Sequence, residues 1–185
     1  MTTESSAARG ADQLGTTIAR FDAHADQLLD RLRGIPAVDS VMVRASKAGD
    51  WSLVWHAINL VRAARLRRPD DLVRFAALIG LESLIVNQGV KRLFRRERPT
   101  DDGDPTLTVR RPSTSSFPSG HASAATVAAL ALSRRAPSLA PLWWLLAATV
   151  GLSRAHVRIH HMSDVVGGVI TGVGIWRAIG RRLIR

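Results

Sequence analysis

Cysteine is absent from this 185-residue chain, and so is tyrosine. Without cysteine there are no disulfides and no thiol chemistry, a restriction that leaves the cellular compartment open. Lysine is scarce beside a large excess of arginine, and a formal net charge of +11 with a sequence pI near 11.7 would suit a nucleic-acid binder. The basic residues, however, alternate with long uncharged stretches and form no nucleic-acid-binding motif, so nucleic acid is not expected as a partner. Met1 to Gly15 is polar and lacks the apolar core of a cleavable signal; any insertion signal is expected in the internal hydrophobic segments. Long apolar runs are few, and only Ala136 to Ser153 approaches the roughly 20 residues of a free-standing membrane span. The mean hydropathy of +0.04 is low for an integral membrane protein and fits a compact one with large polar portions. The length allows one domain.

Three regions are expected along the chain. Residues 1–15, rich in Ser, Thr, Ala and Gly, read as a flexible polar tail. Residues 16–50 read as an amphipathic helical region: Ile18, Phe21, Ala25, Leu28, Leu29 and Leu32 recur three or four apart, with Asp22, Asp26, Asp30 and Arg31 on other faces. This helix either packs on the rest of the protein or lies along a membrane interface. Gly34-Ile35-Pro36 breaks it, and a short helix follows from Val38 to Ser46. Residues 51–185 carry the apolar runs Trp51 to Val61, Phe75 to Val90, His121 to Ser133, Ala136 to Ser153 and Val165 to Trp176. Extended through polar flanks that face headgroups or a bundle interior, they predict an all-α membrane bundle of about five embedded helices plus the amphipathic amino-terminal one. The turns at Arg62 to Asp71, at Arg134 to Pro137 and at the carboxy terminus fall on one side; the polar loop Lys91 to Pro118 and the segment His156 to Ser163 fall on the other. The positive-inside rule would put the first side in the cytoplasm, giving a multi-pass protein of the cell membrane with the second side facing outward.

Everything with chemical promise lies on that second side. Read in order it is Lys91-x6-Arg98-Pro99, Pro118-Ser119-Gly120-His121 and Ser153-Arg154-x5-His160-x3-Asp164. Cations, two imidazoles, a hydroxyl, a glycine amide and a carboxylate are what phosphoryl transfer through a histidine requires, and no metal is needed. His160 is the candidate nucleophile. Asp164, four residues on, would share its face of a helix, accept the other ring N–H and fix the tautomer. His121 is placed to protonate the leaving oxygen and then to activate water. Lys91, Arg98 and Arg154 would neutralise phosphate oxygens, with arginine able to clamp two at once; a helix from Lys91 to Arg98 would bring both heads to one face, and Pro99 would end it. Ser119 and Gly120 would offer a helix N-terminus to the anion. Arg92, Arg95 and Arg96 are left outside the site as interfacial cations, Ser113 to Ser116 as a loop wall, and His156 as a structural hydrogen-bonding residue. His161 would point away from His160. Glu82 reads as the partner of an arginine, and Trp51, Trp55, Trp143 and Trp144 as interfacial anchors or packing residues.

The three motifs, with eleven fixed identities and none missing, resemble the signature of the type 2 phosphatidic acid phosphatase superfamily, which also contains the vanadium-dependent haloperoxidases. The resemblance covers roughly Trp51 to Arg185. It implies a metal-independent membrane phosphatase, without cofactor, acting on a lipid phosphate or diphosphate through a phosphohistidine. Candidate substrates are phosphatidate, phosphatidylglycerol phosphate, a polyprenyl diphosphate or a polyprenyl-linked sugar phosphate. The alternatives are a vanadate-dependent haloperoxidase, whose relatives are typically much larger soluble proteins, and a non-catalytic lipid-binding protein.

Overall fold

The computed structural model describes residues 3–100 and 103–184, with side chains described from residue 12 onward. Among these residues every regular element is helical. The first helix, α1 (Thr3–Asp30), begins well before Thr16, so the segment read as a tail is helical from Thr3. Ala7, Ala8, Ala11, Gln13 and Leu14 favour helix strongly enough to outweigh the Ser and Gly between them. Gly34, at φ 82°, makes the break, and α2 (Pro36–Ala48) starts on a proline whose fixed φ suits a first turn.

A tight turn, Asp50–Ser52, joins α2 to α3 (Leu53–Arg65). Trp51 and Ser52 both take positive φ there (54° and 57°), a strained geometry for side chains other than glycine. The fourth helix, α4 (Pro69–Leu84), continues through a π turn, Ile85–Gly89, into a 3-10 turn, Val90–Leu93. Then come α5 (Gly120–Arg135), α6 (Ala140–His156) and α7 (Met162–Ile175), the last prolonged by a π turn to Gly180 and a final turn Arg181–Leu183.

Helices α3 to α7 form a bundle with α5 at its centre. From Ala122 to Leu132 nearly every α5 residue is buried, which accounts for its run of alanines: a helix surrounded on all sides must be narrow. The contact with α7 is closest. A Cβ on Gly168 would strike the Ser119 carbonyl and come within 2.9 Å of Ala122 Cβ, and one on Gly172 would lie 2.7 Å from the Ser123 carbonyl. Two glycines four apart thus let the α7 backbone lie on that of α5. Trp55, Phe75, Leu78, Val127, Leu132, Trp143 and Trp176 fill the space around this seam. Trp55 and Trp143 therefore pack inside, whereas Trp51 and Trp144 are exposed.

Asp71 marks the end of the bundle away from the motifs, where it pairs with Arg62 at 3.0 Å and Arg135 at 2.5 Å. Two helical stretches, Pro69–Leu93 and Met162–Leu183, are long and apolar enough to cross a membrane by length and composition. Because α5 owes its burial to its neighbours, its short length is set by the bundle and does not depend on contact with lipid.

Candidate active site

Main-chain geometry joins the second and third motifs. Ser119 caps α5, its Oγ accepting from the Ala122 amide at 3.4 Å, and its own N–H donates to the Asp164 carbonyl at 2.9 Å. The amides of Gly120 and His121 consequently stand at the start of a sixteen-residue helix, a position suited to an anion. In the third motif, the Arg154 carbonyl at the end of α6 accepts from both the Ile159 and the His160 amides at 3.1 Å. This closes the tight link that carries His160, which lies between α6 and α7 and not on a helix as the spacing had implied. Asp164 reaches back from the first turn of α7, where its Oδ2 also accepts from the His161 amide at 2.8 Å. Helix capping, and not a shared helical face, therefore brings carboxylate and imidazole together.

Around His160 the partners are directional. Nδ1 lies 3.5 Å from Asp164 Oδ2 and 3.5 Å from Ser116 Oγ; Nε2 lies 3.3 Å from Arg98 Nη1. A guanidinium has only donors, so Nε2 is the nitrogen with the free lone pair and Nδ1 carries the proton. Burial pushes the His160 imidazole down to about 3, against the opposing pull of the hydrogen bond to Asp164, and so keeps it neutral. Neutrality with the lone pair on Nε2 is the form a nucleophile requires.

Sequence reasoning missed two partners of Asp164. The Ser116 hydroxyl donates to Oδ2, and Arg96 donates to Oδ1 at 2.7 Å. Ser116 is fully buried and does not belong to an open loop wall; Arg96 is not an interfacial cation. The error has one source. The chain leaves its 3-10 turn at Phe94 (φ −122°, ψ 140°) and is non-helical through Thr100, so no helix links Lys91 to Arg98 and Pro99 ends none. In an extended reading Arg96 and Arg98, two apart, fall on one side, and that alternation was the available signal.

Arg98 is also more constrained than an open two-point clamp. Its Nε donates to the Pro112 carbonyl (3.1 Å), Nη1 to Ile159 (2.9 Å) and Nη2 to Thr114 (3.0 Å), which ties the first motif to the 112–115 loop and to the His160 link. Burial lowers its affinity for its proton. Arg154, almost wholly buried, donates to Ser46 Oγ and lies 4.0 Å from Asp50, while its Nε has no partner among the described residues. Lys91, also buried, is within electrostatic reach of Arg98, Arg154 and Asp164.

His121 has a partner that the motifs do not contain. Its Nε2 lies 2.9 Å from Asp50 Oδ1, and Asp50 is set there by the strained turn between α2 and α3. The hydrogen bond from His121 holds the Asp50 carboxyl below the usual carboxylate range. His156 points elsewhere, whereas His161 borders the same cavity as His160. His156 is buried and its Nε2 meets Asp39 Oδ1 at 2.7 Å, while His161 caps α7. Glu82 is buried beside Ser123, and the cation acting on it is Lys91 in place of the expected arginine.

Several spaces adjoin the site. One of about 820 Å³ is walled by Lys91, Arg98, Arg111, Pro112 and Thr114. A cavity of about 530 Å³ lies between α1 and the His160 link, with Asp22, Asp26, Arg96, His160 and Met162 on its walls. An apolar groove of about 370 Å³, lined by Ala122, Leu152, Met162, Val165, Val166 and Ile170, runs along α5, α6 and α7. Met162 borders the cavity and the groove.

Comparison with known proteins gives a consistent picture. Decaprenylphosphoryl-5-phosphoribose phosphatase of Mycobacterium tuberculosis is 38% identical over 132 residues, covering 70% of this chain and 72% of that protein. The protein of the same name from Mycolicibacterium smegmatis is 34% identical over 140 residues, 74% of each. The crystal structure of a transmembrane PAP2 type phosphatidylglycerolphosphate phosphatase from Bacillus subtilis superposes with a TM-score of 0.64 over 90% of this chain and 88% of that one; at 23% identity this is a likeness of fold. The family model described as the PAP2 superfamily matches residues 71–182, and the chain belongs to that superfamily.

Proposed function

We propose that the protein is a metal-independent membrane phosphatase that hydrolyses a polyprenyl-linked sugar phosphate or a related lipid phosphate through a phosphohistidine. The observation that carries this reading is His160, buried and neutral, with Nδ1 toward Asp164 and its Nε2 lone pair beside Arg98. In the first step Nε2 attacks phosphorus, the bond from phosphorus to the ester oxygen breaks, and protonated His121 gives that oxygen its proton. Asp50 on Nε2 of His121 leaves Nδ1 for the transfer. Lys91, Arg154 and the α5 N-terminus take the charge of the phosphoryl oxygens, and Asp164 stabilises the cation forming on His160. In the second step water attacks phosphorus, His121 accepts its proton, and the phosphorus–nitrogen bond breaks to release phosphate and free His160. As in other sites, the long 3.5 Å contact with Asp164 is expected to shorten when charge develops.

The substrate class is supported by the mycobacterial relatives, by the space of about 820 Å³ beside Lys91 and Arg98, with room for a phosphorylated headgroup, and by the apolar groove, which suits a lipid tail. We further place about five helices, α3 to α7, in the membrane, with the arginines at the Asp71 end in the cytoplasm and the site on the outer face. The test is phosphate release by detergent-purified protein from polyprenyl-phosphoribose phosphate, phosphatidate and phosphatidylglycerol phosphate, all with EDTA present. Turnover is expected to survive EDTA, to favour the polyprenyl substrate and to vanish in His160→Ala. A rapid quench of the native enzyme should trap an acid-labile, base-stable phosphoryl group on His160; turnover without that adduct, or in His160→Ala, sinks the mechanism.

A further inference from the structure

Helix α1 presents three different surfaces. Projected at about 100° per residue, Asp22, Asp26 and Leu29 form a side that meets the protein, and Arg33 in the turn after the helix extends it. Asp22 accepts from Arg96 Nη2 at 2.6 Å, from the Ser163 amide at 2.7 Å and from Ser163 Oγ at 2.7 Å. Arg33 donates to the His156 and Ala155 carbonyls at 2.9 Å, and Leu29 packs with Ala122, Ala155 and Val165. A second side, with Gln13, Arg20, His24, Gln27 and Arg31, is polar and exposed. The third side holds the apolar stripe Leu14, Ile18, Phe21, Leu28 and Leu32, and these residues are 37–61% exposed. Of the two settings expected for this helix, packing on the protein is seen at Leu29 and at the carboxylates, while the stripe lies exposed.

These polar contacts of α1 and the turn after it fall at the last turn of α6, the first turn of α7 and the Arg96 segment, and Asp30 adds Arg158 of the link between α6 and α7 at 2.7 Å. A helix that crosses the end of a membrane bundle, with one side on protein, one polar and one apolar, is at the level of the lipid headgroups. Val166, Val169 and Ile170 of α7, in one of the two stretches able to span a membrane, are exposed as well. The same helix reaches the chemistry through a short chain of bonds, Asp22 to Arg96 to Asp164, with Arg96 Nη1 also donating to Ser163 Oγ at 2.7 Å.

We propose that α1 is a strap seated on the lipid surface, whose Asp22 positions the catalytic carboxylate through Arg96. Asp22 and Arg96 are positioning residues in this scheme, and only its final link rests on the role given above to Asp164. The occupant of the stripe is the bilayer in which the bundle sits, because the polar side adjoining the stripe carries exposed cations, Arg20 on α1 and Arg31 in the turn after it, that complement anionic headgroups.

The lack of cysteine makes the test direct, since single cysteines can be introduced into the full chain and spin-labelled without background. In vesicles containing anionic phospholipid, labels at Ile18, Phe21 and Leu28 are expected to relax with oxygen and resist a water-soluble nickel chelate, and labels at Arg20 and Gln27 to do the reverse. Equal exposure of both sets to the chelate overturns the lipid seat. So does dipolar broadening at Phe21 that disappears on dilution with unlabelled protein, which would show a second copy covering the stripe. Kinetically, Asp22→Asn should lower kcat about tenfold with KM held and with an altered pH profile, while Asp22→Glu restores most of it. An unchanged kcat in Asp22→Asn overturns the coupling. The relaxation measurement is independent of turnover, so its outcome stands apart from the His160→Ala result.

Discussion

Asp50 gives His121 what Asp164 gives His160: a carboxylate on one ring nitrogen. In the proposed mechanism two histidines with one carboxylate each divide the work of nucleophile and proton donor. Asp50→Asn should therefore lower kcat by about 10–100-fold, and the alkaline limb of kcat/KM against pH should move to lower pH, because an imidazolium without its carboxylate gives up its proton more readily. An unshifted pH profile measured on the purified variant would reduce Asp50 to a structural role. At this scale the sequence was informative only where chemistry is periodic. The motif residues were legible because their spacings are fixed, and their identities were sufficient to bring Lys91, Arg98, Ser119, His121, Arg154, His160 and Asp164 into view. Asp50, Ser116 and Arg96 were not, since their bonds span 71, 48 and 68 residues and no local pattern records such a pairing.

Among the elements, the α5–α7 seam determines where the site residues stand. Gly168 and Gly172 let the two backbones meet, and α5 then brings Ser119 and His121 to the first turn of α7, where Asp164 sits. Gly168→Ala would force Cβ into the Ser119 carbonyl, with no flexible side chain to yield. The expected result is a loss of about 1–3 kcal/mol in stability, read as a lower midpoint of thermal unfolding in detergent, with kcat reduced even in the fraction that remains folded. A variant with normal midpoint and rate would mean that the seam can open without cost. Helix identity was legible here from apolar runs and from Pro and Gly breaks; order of packing was not. The alanines of α5 read equally well as a weak membrane span, and only tertiary contact shows that the helix is the core. The non-helical run after Phe94 was misread for a related reason, since local composition is a weaker influence than the contacts that fix a segment; the start of α1 was misread because its Ser and Gly were given more weight than the helix formers among them.

For the molecule as a whole, neutral burial of His160 links stability to pH. The folded imidazole titrates at about 3 instead of near 6.5. Above the higher value both folded and unfolded chains hold it neutral; between the two, the unfolded chain binds a proton that the folded chain refuses, so stability falls as pH falls. The midpoint of thermal unfolding should drop by several degrees between pH 7 and pH 5. His160→Asn should flatten that slope, and an identical slope in the variant would assign the effect to other groups. Charge and connectivity are consistent at this scale too. The turns rich in arginine gather around Asp71 at one end and the three motifs at the other, the two-ended arrangement expected from the alternation of polar turns and apolar runs.

The bond from the Ser119 amide to the Asp164 carbonyl involves no side chain. The register between proton donor and nucleophile is therefore written in main-chain atoms, which point substitutions in the surrounding walls do not remove. Wall residues without a part in the chemistry, such as Leu152, Val166 and Ile170 of the groove, can drift or be redesigned for a different tail while the reacting centres keep their separation. The fold in this sense keeps substrate choice and chemistry on separate evolutionary clocks.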